Sequence, residues 1–291
     1  MDTHISAKTQ SFAVLGHPIG HTLSPIMHNA SFQALGLDAL YLAYDMPPEY
    51  LIEALRTMGR LGFKGVNLTV PLKEVAFRGL DHIAESARLT GSVNTVEFLP
   101  DGTMQGHSTD GDGFLMALEE AFGTHPRDKR IFMLGCGGAG RAVAITCAVA
   151  GAKEIVLADL DADRMRALEK ELRAVAPDSQ IQQAGTDASA WPELARHTDI
   201  IVQASPVGMK NSDPSPLPPD AFRPEQVVFD MIYMYPETAV MQAAAPSGAQ
   251  TVNGLGMLLH QGAKSFEIWT GTKPDIEAMR KALEAAVYPK S

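Results

Sequence analysis

Short apolar runs alternate with segments of helical periodicity along most of the chain. Ser11–Gly16 (SFAVLG) predicts a strand, and Pro25–Leu35 predicts a helix that Ser24 is placed to cap. Ala39–Asp45, Glu49–Met58 and Gly65–Val70 continue as strand, helix and strand. This βαβα rhythm predicts a parallel sheet with helices covering its faces. Ser92–Phe98 and Thr103–Ser108 flank the turn residues Pro100-Asp101-Gly102 and predict a hairpin, after which a helix at Gly113–Phe122 leads away. The polar stretch Gly123–Lys129 reads as a linker. Beyond it a second βαβ series is expected, with strands at Arg130–Gly135, Glu154–Asp159, Ile200–Ala204 and Val227–Asp230 and helices from Ala139 and over Ala162–Val175. Lys210–Pro219 is rich in Pro and Ser and predicts a loop, while Gly254–Thr270 and Pro274–Val287 return to helical spacing. Internal repeats and low-complexity tracts are absent from the sequence.

A length of 291 residues suits two domains, and a hydrophobic content of 45% suits two real cores. With 34 acidic against 24 basic residues the formal net charge is −10, which speaks against nucleic acid as a partner because phosphate binding needs a basic stripe. A local pocket can still oppose that global field and take an anionic small molecule. Two cysteines, Cys136 and Cys147, make neither a disulfide framework nor a zinc pattern and read as reduced thiols. Met1–Gln10 lacks the apolar core of a signal peptide, and every apolar run falls short of the roughly 20 residues of a membrane span. The expected compartment is the cytoplasm, with no membrane partner.

The sharpest local signal is Arg130–Gly140, RIFMLGCGGAG, which sets G-x-G-x-x-G at Gly135, Gly137 and Gly140 between a predicted strand and a predicted helix. In that context Gly135 permits the tight turn, Gly137 lets a pyrophosphate approach the backbone, and Gly140 lets helix and strand pack closely. Gly138 and Ala139 complete the candidate cofactor loop at the helix N-terminus, where free N–H groups favour phosphate. Asp159 ends the next strand, about 20 residues on, where a carboxylate accepts from ribose hydroxyls. It also repels a 2′-phosphate and so favours NAD over NADP. Arg164 and Arg166 follow closely; they read as a solvated helix face, with a swing toward a phosphate as the alternative.

The predicted strand ends of the first half carry polar clusters: His21 to Pro25, Asn67 to Lys73, Ser92 to Thr95, and Ser108 to Gly111. Ligands of open parallel sheets bind beyond such carboxyl ends. The spacing of His, Cys and carboxylates suits no metal. Hydride transfer at a C–OH also requires proton transfer, and Lys73 held by Asp110 is a metal-free device for it. The bland alternatives are a surface lysine and a helix-capping aspartate. His17 and His21 read as packing or hydrogen-bonding residues, and Trp191 and Trp269 as core or interdomain residues.

Eight motifs occur in order: Gly16 to Pro25 (GHPIGHTLSP), Asn67 to Lys73 (NLTVPLK), Ser92 to Thr95 (SVNT), Ser108 to Gly111 (STDG), Gly135 to Gly140 (GCGGAG), Gln203 to Met209 (QASPVGM), Asp230 to Tyr233 (DMIY) and Gly254 to Ala263 (GLGMLLHQGA). Together they resemble the shikimate dehydrogenase family over nearly the whole chain. The resemblance implies an α/β fold of two domains. Residues 1–113 with the C-terminal helices of 254–291 would form a substrate-binding, catalytic domain, and residues 114–253 a Rossmann-type NAD(P)-binding domain. It implies Lys73 and Asp110 as the catalytic pair and Thr22 and Ser24 as the hydroxyls that bind a substrate carboxylate. Asn67, Thr69, Asn94, Asp110 and Gln261 would hold ring hydroxyls, Tyr233 would contact substrate, and Met231 and Gly254 would line the nicotinamide. The implied reaction converts 3-dehydroshikimate and reduced cofactor to shikimate, in chorismate and aromatic amino acid biosynthesis, by a monomer or homodimer.

Three positions depart from the family pattern. Thr22 stands where a serine is usual, which narrows the carboxylate pocket and leaves quinate open as a substrate. Asp159-Leu160-Asp161 replaces the usual Asn-Arg-Thr that grips the NADP phosphate, so NADP or NAD stays open. Tyr235 stands where a proline is usual. An NAD-dependent quinate/shikimate dehydrogenase is therefore the near alternative. A non-catalytic cofactor-sensing regulator is the distant one, and would be expected to lack Lys73 or Asp110.

Overall fold

The computed structural model describes residues 5–288. Strand β1 (Gln10–Gly16) shows how an unbroken apolar run becomes a central strand. Phe12 and Val14 join one buried cluster with Phe32, Tyr41 and Phe266, while Ala13 and Leu15 join another with Leu51, Leu55 and Val66. With both faces covered, the strand has no place for alternating polar residues. The chain continues through α1 (Ser24–Ala34), β2 (Ala39–Asp45), α2 (Leu51–Arg60), β3 (Gly65–Leu68), α3 (Lys73–Gly79), β4 (His82–Ile83), α4 (Glu85–Thr90), β5 (Thr95–Phe98) and β6 (Met104–His107). α2 is amphipathic, burying Leu51, Leu55 and Met58 on the face turned to the sheet.

The sheet runs β2-β1-β3-β5-β6-β4. β1 pairs parallel with β2 and β3, but β5 pairs antiparallel with both β3 and β6, so this sheet is mixed. The expected third strand through Val70 stops at Leu68, where the chain enters a turn closed by Leu72 N on Thr69 O at 2.8 Å and where Pro71 has no N–H to offer a ladder. Ser24 is not a cap. It is the first residue of α1, Leu23 holds the cap position, and no side chain bonds there.

The second series comprises α5 (Asp110–Phe122), β7 (Arg130–Leu134), α6 (Gly138–Val149), β8 (Glu154–Ala158), α7 (Ala162–Val175), β9 (Gln180–Gln183), α8 (Trp191–Arg196), β10 (Ile200–Gln203), β11 (Val227–Asp230), α9 (Ala239–Ala244) and β12 (Gln250–Val252). Its sheet, β12-β11-β10-β7-β8-β9, is parallel at every pairing. That is the doubly wound order with its switch point between β7 and β10. Two helices close the chain, α10 (Leu255–Thr270) and α11 (Ile276–Val287). Asp275 caps α11 by accepting from Ala278 N.

The chain divides into two units. Asp110–Leu258 forms one; the residues up to Thr109 and those from Leu259 onward form the other. Helix α5 begins at Asp110, ahead of the expected Gly113. Leu259, where the chain returns to the first unit, lies inside α10. Among the described residues no helix is long and apolar enough to cross a membrane. Trp191 is buried with its indole N–H on Gly185 O, and Trp269 donates to Val96 O while its ring covers Gly65 so closely that a Cβ there would lie 2.3 Å away.

His28 of α1 is wholly buried and stacks on Tyr41 with ring centroids 4.3 Å apart and planes 7° from parallel. Among the described residues neither ring nitrogen has a hydrogen-bond partner, and burial pushes its pKa from 6.5 down to about 3. The unfolded chain thus takes up this proton first as pH falls. The stability that a neutral His28 confers is complete above 6.5 and is lost progressively down to about 3. At pH 5 the loss amounts to roughly 2 kcal/mol, from about 1.5 pH units at 1.36 kcal/mol each. His28→Phe should remove that part of the acid sensitivity. Urea unfolding at pH 7.5 and pH 5 should show a smaller difference in the variant than in the parent; equal differences would rule out this source.

Candidate active site

In the unit built on β1, polar side chains meet at the carboxyl end of β3. Asn67 is its third residue, and the turn from Thr69 to Leu72, closed by Leu72 N on Thr69 O at 2.8 Å, delivers Lys73 as the first residue of α3. Lys73 is half-buried, and its carbonyl accepts from Val93 N at 3.1 Å. The next residue, Asn94, is the junction. Its backbone carbonyl accepts from Leu68 N at 2.8 Å and its backbone N–H donates to His107 O at 3.0 Å. Its Oδ1 accepts from Thr109 N at 2.9 Å, and its Nδ2 donates to Thr109 Oγ1 at 2.9 Å and to Gln261 Oε1 at 3.3 Å. Asp110 follows Thr109 directly, as the first residue of α5. Two adjacent residues thus tie down the Lys73 carbonyl, through Val93 N, and the residue preceding Asp110 and the side chain of Gln261, through Asn94.

Asn67 is equally committed. Its Nδ2 donates to Asn94 O at 3.0 Å and to the hydroxyls of Ser265 at 2.9 Å and Thr95 at 3.2 Å, and its Oδ1 accepts from Tyr41 OH at 2.7 Å. Thr109 Oγ1 and Ser265 Oγ both donate to the Gln261 carbonyl, which fixes this turn of α10. Thr22 Oγ1 lies 3.3 Å from Ser24 Oγ and accepts from Ser24 N at the same distance. Thr69 is half-buried with its methyl against Gly16, where a Cβ would lie 2.5 Å away. His17 pairs with Asp45, a hydrogen bond that holds the carboxyl below its ordinary pKa. Among the predicted residues, Thr22, Ser24, Asn67, Thr69, Lys73, Asn94 and Gln261 thus share one unit. Thr95 and Thr109 were not singled out although they lie within polar motifs. Ser265 could have been found as the residue one helical turn after Gln261. Tyr41 sits in an apolar strand pattern and gives no local sign.

In the other unit the glycines divide their work as the spacing suggests. Gly135 has φ +99°, and a Cβ on it would lie 2.6 Å from Ser205 N. A Cβ on Gly140 would lie 1.9 Å from Gly135 O, so only glycine lets α6 start this close to β7. Gly137 and Gly138 face open space, and the amides at the start of α6 are positioned for an anion. This cradle at the switch point fits a dinucleotide. Asp159 accepts from Cys136 N at 2.7 Å and Asp161 N at 2.9 Å, so its carboxylate holds the glycine loop, with lone pairs left for a ribose. Arg164 pairs with Asp161 at 3.4 Å and Arg166 with Asp163, while Leu160 is 73% exposed. Burial, with the Asp159 carboxylate beside it, pushes the Cys136 thiol up to about 12, so it is no nucleophile.

Beyond β11, Met231 and Gly254 are in contact: Gly254 N donates to Ile232 O at 3.0 Å, and a Cβ on Gly254 would lie 2.2 Å from Met231 O. Tyr233 is half-buried, which raises its phenol pKa. Asp230, buried at the end of β11, accepts from Ile232 N at 3.0 Å, and burial pushes its carboxyl up to about 6. Asp110, Tyr233, Met231, Gly254 and the glycine loop all belong to this unit.

A doubly wound parallel sheet with a glycine cradle at its switch point, in one chain with an α/β unit that gathers amides and hydroxyls around a lysine-bearing helix start, defines a dinucleotide-linked oxidoreductase. Residues 14–96 match the shikimate dehydrogenase substrate binding domain, and residues 254–284 the shikimate 5'-dehydrogenase C-terminal domain. A shikimate dehydrogenase (NADP(+)) of Methanopyrus kandleri is 42% identical over 281 residues, 96% of each chain. The structure of shikimate 5-dehydrogenase from Listeria monocytogenes in complex with shikimate and NAD is similar at a TM-score of 0.89 and 34% identity, covering 96% of this chain and 98% of that one. Quinate dehydrogenase from Corynebacterium glutamicum in complex with NAD aligns at 0.87 and 28% identity, over 95% and 99%. The chain belongs to the shikimate dehydrogenase family.

Proposed function

We propose that this chain catalyses the reversible NAD(P)H-dependent reduction of 3-dehydroshikimate to shikimate, with Lys73 and Asp110 as its catalytic pair. The observation that carries this reading is the Val93–Asn94 segment: Val93 N bonds the Lys73 carbonyl at 3.1 Å, and the Asn94 side chain holds Thr109, the residue preceding Asp110, through two hydrogen bonds at 2.9 Å. Reducing a ketone requires a proton at the oxygen as well as a hydride at the carbon. The Lys73 ammonium delivers that proton and the resulting amine recovers it in reverse, while the Asp110 carboxylate holds the ammonium in line. Thr22 and Ser24 hold the substrate carboxylate through hydroxyl donors, each worth roughly 1.5–3 kcal/mol to a charged acceptor. Asn67, Thr69, Asn94, Asp110 and Gln261 hold the ring hydroxyls, and Tyr233 contacts the substrate. A bound nicotinamide supplies or accepts the hydride. Gly135, Gly137, Gly138, Ala139, Gly140 and Asp159 would hold its dinucleotide, with Met231 and Gly254 beside the ring. The unit completed by the C-terminal helices is then the substrate domain, and Asp110–Leu258 the cofactor domain.

For the cofactor, Asp159 with an exposed Leu160 beside it favours NAD. The nearby arginines already pair with Asp161 and Asp163, which leaves no ready clamp for a 2′-phosphate. A second reading, an NAD-dependent quinate/shikimate dehydrogenase, is favoured by the same feature and by the methyl of Thr22. Absorbance at 340 nm with shikimate and quinate, each with NAD and NADP, separates the two. Shikimate with NAD should give the highest kcat/KM; a higher value for quinate establishes the second reading, and no reaction with either acid defeats both.

A further inference from the structure

We infer that Asn253, outside the proposed ligand set, is a positioning residue that sets where Met231 and Gly254 meet the nicotinamide ring. The inference rests on the reading above, in which those two residues lie beside the ring. Asn253 directly follows β12, and its side chain is bound at both ends. Leu255 N can only donate, so the carboxamide turns its Oδ1 toward it, at 3.1 Å. The NH₂ then faces the carbonyls of Tyr235 and Pro236, which can only accept, at 3.0 and 3.2 Å. One side chain thus fastens the segment after β11 to the first residue of α10.

That segment depends on such bonds. Among the described residues, no helix or strand spans the stretch between Asp230, the end of β11, and Ala239, the start of α9. Its first two residues are pinned: Met231 N donates to Gln203 O at 2.9 Å, and Ile232 is held by Asp230 on one side and by Gly254 on the other. Asn253 holds the chain further on, at Tyr235 and Pro236. Tyr235 in turn donates its hydroxyl to Met209 O at 3.1 Å. The loops that follow β10, β11 and β12, neighbouring strands of one sheet, are therefore joined through the side chains of Asn253 and Tyr235. Met231 and Gly254 lie within this clasp. Their backbones leave no room for a Cβ between them, so a segment that slips along its path carries Met231 off Gly254. The glycine cradle lies on β7 and α6 and is held by Asp159 instead. The clasp therefore acts on the nicotinamide end of a dinucleotide, not on its pyrophosphate.

Asn253→Ser keeps an acceptor for Leu255 N, because a serine hydroxyl makes the same local turn, but it is too short to reach Tyr235 and Pro236. At saturating shikimate its kcat/KM for NAD should fall about tenfold, the scale of two lost hydrogen bonds. ADP-ribose fills the cradle but carries no nicotinamide. As a competitive inhibitor it should keep a Ki within about twofold of the parent's, since its contacts lie outside the clasp. A merely structural loosening of the unit would weaken ADP-ribose in the same proportion as NAD, and that result overturns the inference, as does an unchanged kcat/KM. Should Asn253→Ser not fold, Tyr235→Phe decides, because it removes only the bond to Met209. It should lower kcat/KM for NAD about threefold at a steady Ki for ADP-ribose, and an unmoved value overturns the inference. A crystal structure of the parent enzyme with NAD tells the two possible failures apart. A nicotinamide ring away from Met231 and Gly254 defeats the underlying reading. A ring beside them, with the deciding variant unmoved, overturns the role of Asn253 alone.

Discussion

Lys73→Ala should lower kcat roughly 10²–10⁴-fold, the usual scale for loss of a positioned general acid–base group. The fold should survive, because Lys73 opens α3, where alanine is a good helix former, and its structural bond runs through the backbone carbonyl to Val93 N. KM for the dinucleotide should stay unchanged, since the glycine cradle lies on β7 and α6. The effect belongs in kcat because the proton moves only in the reacting complex. Steady-state kinetics at saturating shikimate, alongside thermal unfolding of the variant, tests this. Turnover within about threefold of the parent, from a folded variant, would remove Lys73 from the chemistry.

The second large effect concerns the cofactor. Leu160→Arg combined with Asp159→Asn should raise the ratio of kcat/KM for NADP over NAD between about tenfold and a hundredfold. That range follows from one new charge-assisted hydrogen bond of roughly 1.5–3 kcal/mol, at 1.4 kcal/mol per factor of ten. Absolute rates should fall with both cofactors. Each oxygen of the Asp159 carboxylate accepts a backbone N–H, from Cys136 and from Asp161, and an asparagine must turn its NH₂ toward one of these donors. The ratio is therefore the meaningful readout, and Leu160→Arg alone isolates the gain from the loop damage. A ratio that does not move in either variant would mean that this strand end does not read the ribose.

Much of the Asp110–Leu258 unit is legible in sequence because its signals are local. The apolar runs of β7 and β8 and the spacing of Gly135, Gly137 and Gly140 each lie within a few residues, and α7 falls on the expected span Ala162–Val175. Elements that hide are short or polar. β9 has the sequence QIQQ with one buried residue, and β4 is two residues long. α3 and α4 fill the interval between two motifs that were read for their chemistry alone. The candidate site is harder to read, because its hydrogen bonds join residues with no sequence relation. Asn94 and Gln261 are individually visible as polar residues in motifs. That Tyr41 and Ser265 complete the same network follows only from where β2 and α10 run. The strand-end position of Asp159 points to a ribose; that its carboxylate also fastens the glycine loop follows only from where the Cys136 amide points.

The unit that holds Asn67 is discontinuous, and its bond to Ser265 spans 198 residues. On a ribosome adding about 5–20 residues per second, Asn67 would be made roughly 10–40 s before its partner. During that interval the contiguous Asp110–Leu258 segment is made and can begin to fold, while the amides and hydroxyls of the half-made unit rely on water for their partners. Chains that end at Leu258 and are carried clear of the ribosome by a C-terminal linker should therefore hold a protease-resistant core from the later-made segment and a cleavable stretch ahead of it, and only addition of the final helices would seal the earlier-made half.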